Sequence, residues 1–183
     1  MSIIDEIPLG PYKISVGLRL REAMLLNGIL FNSESWYDLK EEEIESLNAI
    51  DQYLLRKILN LQSKMPVEAL YLETGSIPIK YCIKKRRLMY LHHILNRSDD
   101  ELIKRFYLAQ KSNPSKNDWT ETVKNDLKEL NIDMQEEKIQ KMKKHSFKKV
   151  VKEKIAVEAF NYLMKKKETH SKLDNIHYEK LQT

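Results

Sequence analysis

The only Asp-Asp pair in the chain is Asp99-Asp100. Paired carboxylates can hold two divalent metals across a reacting phosphate, so this pair is the first candidate for chemistry. It follows Ser98 and leads into Glu-Leu-Ile-Lys-Arg-Phe. A capping serine followed by acids that complement the dipole of a first turn is the signature of a helix start. The pair therefore reads as capping. The five histidines are His92, His93, His145, His170 and His177, and none stands three or four residues from another histidine or from cysteine. Two ligands share a helix face only at that spacing, so no metal site is expected and His92 and His93 read as packing or surface residues. Cys82 is the single cysteine, which excludes an intrachain disulfide and a cysteine-pair zinc site. Lys85 and Arg86 nearby could lower its thiol pKa, but cysteine within an apolar helix is usually inert packing. Neither a Gly-x-Ser-x-Gly turn nor a phosphate-binding Gly-x-x-x-x-Gly-Lys loop occurs, so no catalytic residue, cofactor or metal is assigned.

Basic segments carry the remaining functional signal. Lys84-Lys85-Arg86-Arg87, Lys141 to Lys144, Lys148 to Lys154 and Lys165 to Lys167 alternate charge with apolar anchors. Lys84, Lys85, Arg86, Arg87, Lys141, Lys144, Lys148, Lys149 and Lys152 are the nucleic-acid-binding candidates. Lysine contacts to phosphate position a polyanion without reading its sequence. The bland alternative is a solvated lysine-rich helical surface. Trp36, Tyr37 and Trp119 could stack on bases, but aromatics beside helix starts are more often core.

Charge is uneven along the chain. Residues 1–78 hold 7 Lys+Arg against 12 Asp+Glu, a net of −5, whereas residues 79–183 hold 25 against 15, a net of +10; together they give the +5 of the whole. The asymmetry suggests attraction to a polyanion. Hydrophobic residues at 42% suffice for a core, while 32% charged residues with 4 glycines in 183 favour helices. No apolar run is long enough for a membrane span and the N-terminus lacks a signal-peptide pattern. The expectation is a soluble, intracellular protein, nuclear or cytoplasmic, without a membrane partner.

Several helices would position these residues. One is expected from about Lys13 to Leu30, its apolar set of Ile14, Val16, Leu18, Leu20, Met24, Leu25, Leu26, Ile29 and Leu30 covering most of the circumference and implying deep burial. Gly17 and Gly28 sit awkwardly within it. Asp38 with Glu41 predicts a capped start for a helix over 39–61, with Asp51 inside its apolar stripe of Ile44, Leu47, Leu54, Leu55, Ile58 and Leu61. Pro66 and Gly75 bracket a short helix. Pro78 opens a longer one to about Asn96, whose inward face of Ile79, Ile83, Tyr90 and Ile94 is flanked by Arg86 and Arg87, with Lys84 and Lys85 pointing elsewhere. The two arginines either pair with acids such as Asp51 or Glu73 or reach a phosphate; ion pairing is preferred because buried charges need partners. Further helices are expected at about 99–111, 118–130, 134–144 and 147–168, capped by Ser98, Asn117, Asp133 and Ser146. Residues 113–117 make a breaker-rich linker and 171–183 a frayed tail.

Over residues 9–97 three features occur in order: Asn32-Ser33-Glu34-Ser35-Trp36 after an apolar run, Leu54-Leu55-Arg56-Lys57-Ile58-Leu59 closing a long helix, and Pro66 to Pro78 followed by a basic helix with Arg86-Arg87-Leu88. This series resembles the thumb of non-LTR (LINE-type) retrotransposon reverse transcriptases, and a weaker likeness continues as a lysine-rich extension beyond residue 98. The resemblance implies an all-α protein: a thumb-like helical bundle over 1–97 and a basic helical extension over 98–170. It implies structural roles for Glu34 and Trp36, and the place of Asp51 within an apolar stripe gives that residue a structural role as well. It further implies a non-catalytic grip on RNA, DNA or an RNA–DNA hybrid within an RNA-directed DNA polymerase, or a fragment of a mobile element, with a preceding palm domain as partner. The family's aromatic-x-Asp-Asp hairpin and its cysteine-histidine knuckle are both missing. The alternative is a helical structural protein, a decayed remnant that self-associates through an uncovered apolar face.

Overall fold

The computed structural model describes residues 11–61, 65–115 and 117–169, and every regular element among them is helical. The protein is all-α, as its composition and periodicities indicate. The described residues form two compact units interleaved along the chain, one from 11–29, 46–78 and 159–169, the other from 30–45 and 79–158. The expected sequence division at 97/98 falls inside the second unit. The expected frayed tail, 171–183, lies outside the described residues.

The first unit begins with α1 (Pro11–Leu20), a π-helical stretch (Arg21–Leu26) and the short α2 (Asn27–Ile29). The expectation of deep burial for this helix is corrected. Ile14 and Val16 are each 39% exposed and Met24 is 60% exposed, while Lys13, Gly17, Arg21 and Leu26 face inward. Two contacts explain the inversion. Arg21 is drawn to a buried carboxylate on the next long helix, and Gly17 lies so close to Ile58 that a Cβ there would come within 2.8 Å of Ile58 Cγ1. Glycine is thus required by close helix packing.

The next helix, α3, runs Glu41–Leu59. Its start lies two residues beyond expectation. Asp38 has φ 54°, and it is Lys40 whose N–H donates to Glu43 Oε2 at 2.8 Å, half of a capping box. Within the first unit this helix buries Asp51, Leu55 and Ile58. Leu55 and Ile58 join Tyr71 and Leu163 in a core flanked by Leu18, Leu54, Val67, Leu72 and Tyr162. Tyr71 belongs to α4 (Val67–Thr74), which Pro66 precedes and Gly75 ends at φ 62°, as the proline-in, glycine-out pattern predicts. The N–H of Ser76 returns to the Tyr71 carbonyl at 3.1 Å, satisfying an end-of-helix acceptor.

The second unit is organised by α5 (Ile79–Leu95), which is buried on nearly all sides: Ile79, Tyr81, Ile83, Lys84, Arg87, Leu88, Leu91, His92, Ile94 and Leu95. A helix buried on most of its circumference shows no single one-sided stripe of the kind expected for it. Around it lie the Ser33–Ser35 3-10 turn, α6 (Leu102–Ser112), α7 (Trp119–Glu129), α8 (Glu136–Lys141) and the first part of α9 (Lys144–Thr169). Trp119 packs edge-on against Tyr90 and Tyr107, at ring separations of 5.8 and 6.2 Å. Such aromatic pairs contribute about 0.5–1.5 kcal/mol each beyond their buried area.

All four expected caps shift. Ser146, expected before a helix over 147–168, lies inside α9, which starts at Lys144. Glu101 precedes α6 in place of Ser98, and Asp99 and Asp100 lie in the turn before the helix, not in its first turn. Asp118, one residue after Asn117, caps α7: its Oδ1 accepts from the Glu121 N–H at 2.8 Å and from the Thr120 hydroxyl at 2.7 Å. Gln135 precedes α8 in place of Asp133. Near residue 142 the chain breaks earlier than expected, because Met142 is extended and its N–H closes α8 on the Ile139 and Lys138 carbonyls.

Candidate nucleic-acid interface

α9 buries Phe147, Val151 and Ile155 at steps of four, and Lys148 and Lys152 stand one step of about 100° to the side of that row. Lys144, Lys148, Lys149 and Lys152 are all exposed. Lys144 belongs to α9 itself, so Lys144, Lys148 and Lys152 form one row on a single helix, spaced by about 6 Å of rise per step. Lys144, expected to end the helix over 134–144, thus opens the next one. Lys141 is also exposed and closes α8, with only Met142 and Lys143 between it and α9. Residues 141–154 contain seven lysines and one acid, Glu153. Among the described residues of this stretch the one ion pair joins Lys149 to Glu153 at 4.0 Å with both side chains exposed, a contact worth about 0–1 kcal/mol. The positive charge of the row is therefore nearly uncompensated.

The basic run on α5 behaves differently. Lys84, expected to point away from the core, is 9% exposed; its Nζ lies 3.4 Å from Asp126 Oδ1 and also meets Glu129. Arg87, 6% exposed, donates from Nε to Asp126 Oδ2 and from Nη1 to the Trp36 carbonyl, both at 2.6 Å. Arg86 donates to the Leu30 carbonyl at 2.9 Å, and Lys85 is half-buried. Lys84 and Arg87 are thus committed within the fold and leave the list of phosphate contacts. The preference for ion pairing holds for Arg87, but through Asp126, an acid the stripe argument did not single out.

These same groups hold the Asn32–Trp36 turn. Asn32 adopts φ 58°, and Ser33 is fully buried. Three side chains grip backbone carbonyls along the segment: Arg86 at Leu30, Trp119 Nε1 at Glu34 at 2.7 Å, and Arg87 at Trp36. Glu34 and Trp36 serve the structure through their carbonyls, while the Glu34 side chain is half-buried beside a Tyr90 phenol raised above its usual pKa by burial and then by that carboxylate. The aromatic that closes this site is Trp119, more than 80 residues away in sequence, with Trp36 only partly buried.

Asp51 is fully buried, as its position in the apolar stripe requires. Its partner is Arg21, with Nε to Oδ1 at 2.5 Å and Nη2 to Oδ2 at 2.7 Å, and the Tyr71 hydroxyl donates to Oδ2 at 3.1 Å. The expected pairing with Arg86 or Arg87 is replaced by this one. Inward positions four residues apart, Lys13, Gly17 and Arg21, were the missed signal.

Groups suited to catalysis stay dispersed. No cluster of three or more His, Cys, Asp or Glu that could hold a metal occurs among the described residues. His92 stacks on Phe147 at 5.4 Å, and its Nε2 lies 2.9 Å from the Met142 carbonyl, which makes it a packing residue. His93 is exposed and its pKa is lowered, first by partial desolvation and then by the Arg97 and Lys144 cations. His145 is exposed and Cys82 half-buried; His170 and His177 lie outside the described residues. No helix among those residues is long and apolar enough to cross a membrane. No protein-family model, curated protein or solved structure matches the chain.

Proposed function

We propose that this chain grips nucleic acid without catalysing a reaction on it, in the manner of the polymerase thumb it resembles. The observation that carries the reading is the Lys144-Lys148-Lys152 row on α9, extended by Lys141 and Lys149 and exposed throughout. Its ligand class is a phosphate backbone, RNA, DNA or their hybrid. The row contacts charge and presents no group that discriminates base edges, so binding is weakly sequence-dependent and strongly salt-dependent. A fluorescence-anisotropy titration with a labelled RNA–DNA hybrid, repeated with Lys148→Gln, Lys149→Gln and Lys152→Gln combined, tests the reading.

A second reading has its own support. Within the described residues the first unit holds 8 Lys+Arg against 5 Asp+Glu, a net of +3, and the second holds 20 against 18, a net of +2. The −5 and +10 contrast of the two sequence halves is therefore not a contrast between folded units. Residues 34–45 bring six acids and one lysine into the same unit as the lysine row. That balance favours a helical structural or interaction protein, and an absence of hybrid binding at low salt would select it.

A further inference from the structure

A stack of two rings stands beside the head of the lysine row. On α5, Tyr90 and His93 share a face at i and i+3, and their rings lie 6.1 Å apart and within 12° of parallel. Tyr90 is held by Trp119, edge-on at 5.8 Å, and Trp119 is itself tied to the Glu34 carbonyl. His93 is exposed, and Arg97 Nε donates to its Nε2 at 3.2 Å. An Nε2 that accepts puts the ring proton on Nδ1 and leaves a neutral aromatic ring. We propose that His93, backed by Tyr90, is a stacking platform for an unpaired nucleobase of a strand whose phosphates lie on the α9 lysines, which rests on the nucleic-acid reading of that row.

Helix packing brings the platform and the row together. His92, the residue before it, stacks on Phe147 at 5.4 Å, and its Nε2 lies 2.9 Å from the Met142 carbonyl. Between those two contacts along the chain stand Lys143 and Lys144, both exposed. Partial desolvation, then the Arg97 cation and then the nearby Lys144 cation lower the His93 pKa, which keeps the ring neutral. One acid, Glu101, also faces this ring, and its charge is offset by Arg97 at 3.6 Å. The ligand class follows from what each part can reach. A base inside a duplex has its faces covered by its neighbours, so only an unpaired base can meet a protein ring. Every base has a π-face, so stacking adds affinity without sequence preference, as does a lysine row that contacts only phosphate. A blunt duplex engages the lysines alone, whereas a duplex with a single-stranded extension engages the lysines and the platform.

Fluorescence anisotropy of the full chain at about 50 mM salt, where phosphate contacts are strong, tests the platform with three RNA–DNA hybrids. One is blunt, one carries a short unpaired extension, and one carries an extension of equal charge built from abasic sugar-phosphates. The wild type is expected to bind the base-bearing extension roughly tenfold more tightly than the abasic one, the effect of one base stacked on an aromatic ring. His93→Ala should erase that difference while leaving helical circular dichroism, affinity for the blunt hybrid and its salt dependence unchanged. His93→Phe, which keeps an aromatic ring, should retain the difference. Equal binding of the two extensions by the wild type, or a base preference that survives in His93→Ala, overturns the platform and leaves the gripping reading intact. Failure of all three hybrids to bind overturns both.

Discussion

The guanidinium of Arg21 makes two hydrogen bonds to the carboxylate of Asp51, at 2.5 and 2.7 Å, and the two side chains are 4% and 0% exposed. With the Tyr71 hydroxyl on the same carboxylate, the pair joins three helical segments of the first unit at a charged point inside its core. Two buried charges are tolerated because each satisfies the other. Removing one alone leaves the second uncompensated, a loss of about 3–5 kcal/mol.

Asp51→Ala is accordingly expected to lower the unfolding free energy by about 3–5 kcal/mol, measured by urea denaturation. Replacing both partners by apolar residues of similar volume, Asp51→Leu with Arg21→Met, should recover most of that loss. A single-variant loss under about 1 kcal/mol would match an exposed pair and contradict the buried one.

Gly17→Ala is a local test of how closely α1 approaches α3. The added Cβ would sit 2.8 Å from Ile58 Cγ1 and 3.0 Å from Cγ2. Overpacking of this kind costs about 1–3 kcal/mol, set against a helix-propensity gain of about 1 kcal/mol for alanine over glycine. The decisive quantity is the coupling with Ile58→Ala, which removes the clashing atoms. The double variant should lose less stability than the two single variants added together, and simple additivity would count against the close approach.

Much of the architecture was legible in the sequence, because helix ends are written in local chemistry. Pro66 and Gly75 delimit α4, and Pro78 precedes α5, by backbone constraints that need no tertiary context. The buried stripe of α3, Asp51 included, follows from spacing alone. Pairing was not legible. Asp51 sits in a run whose periodicity says that it is buried, but nothing in that run says whether Arg21, Arg86 or Arg87 will meet it. The inward turn of α1 was hidden for the same reason, since its buried positions are a lysine, a glycine and an arginine, which hydrophobic periodicity scores as surface. Of the candidate basic residues, spacing pointed to ion pairs for Arg86 and Arg87 but left Lys84 with the exposed lysines of α9. Burial separates them, because α5 is enclosed by neighbours that supply Asp126 and Glu129.

The Asp118 cap gives a pH dependence with a definite sign. Hydrogen bonds from the Thr120 hydroxyl and from the Ser115 and Glu121 N–H groups lower its pKa from 3.8 to about 2 in the fold. A carboxylate with a depressed folded-state pKa contributes stability above its unfolded value and loses it as pH falls through the folded value. Asp118→Ala should therefore cost about 1 kcal/mol at neutral pH, within the range for a lost N-cap. That difference from the wild type should shrink as pH falls from 3.8 toward about 2. A gap between the two proteins that stays constant across this window would contradict the role of the ionised carboxylate.

The salt dependence of binding to an RNA–DNA hybrid bears most directly on the lysine row of α9. Each phosphate neutralised on duplex DNA contributes roughly −0.9 to the slope of log affinity against log salt. The wild-type chain is expected to bind with a steep negative slope and little change between hybrid sequences. Replacing Lys148, Lys149 and Lys152 by glutamine should reduce the magnitude of that slope by up to roughly 2.7, the loss of three such contacts. Affinity independent of salt, an unchanged slope in the triple variant, or no binding near about 50 mM salt, where phosphate contacts are strong, would contradict the assignment of nucleic-acid gripping to this helix.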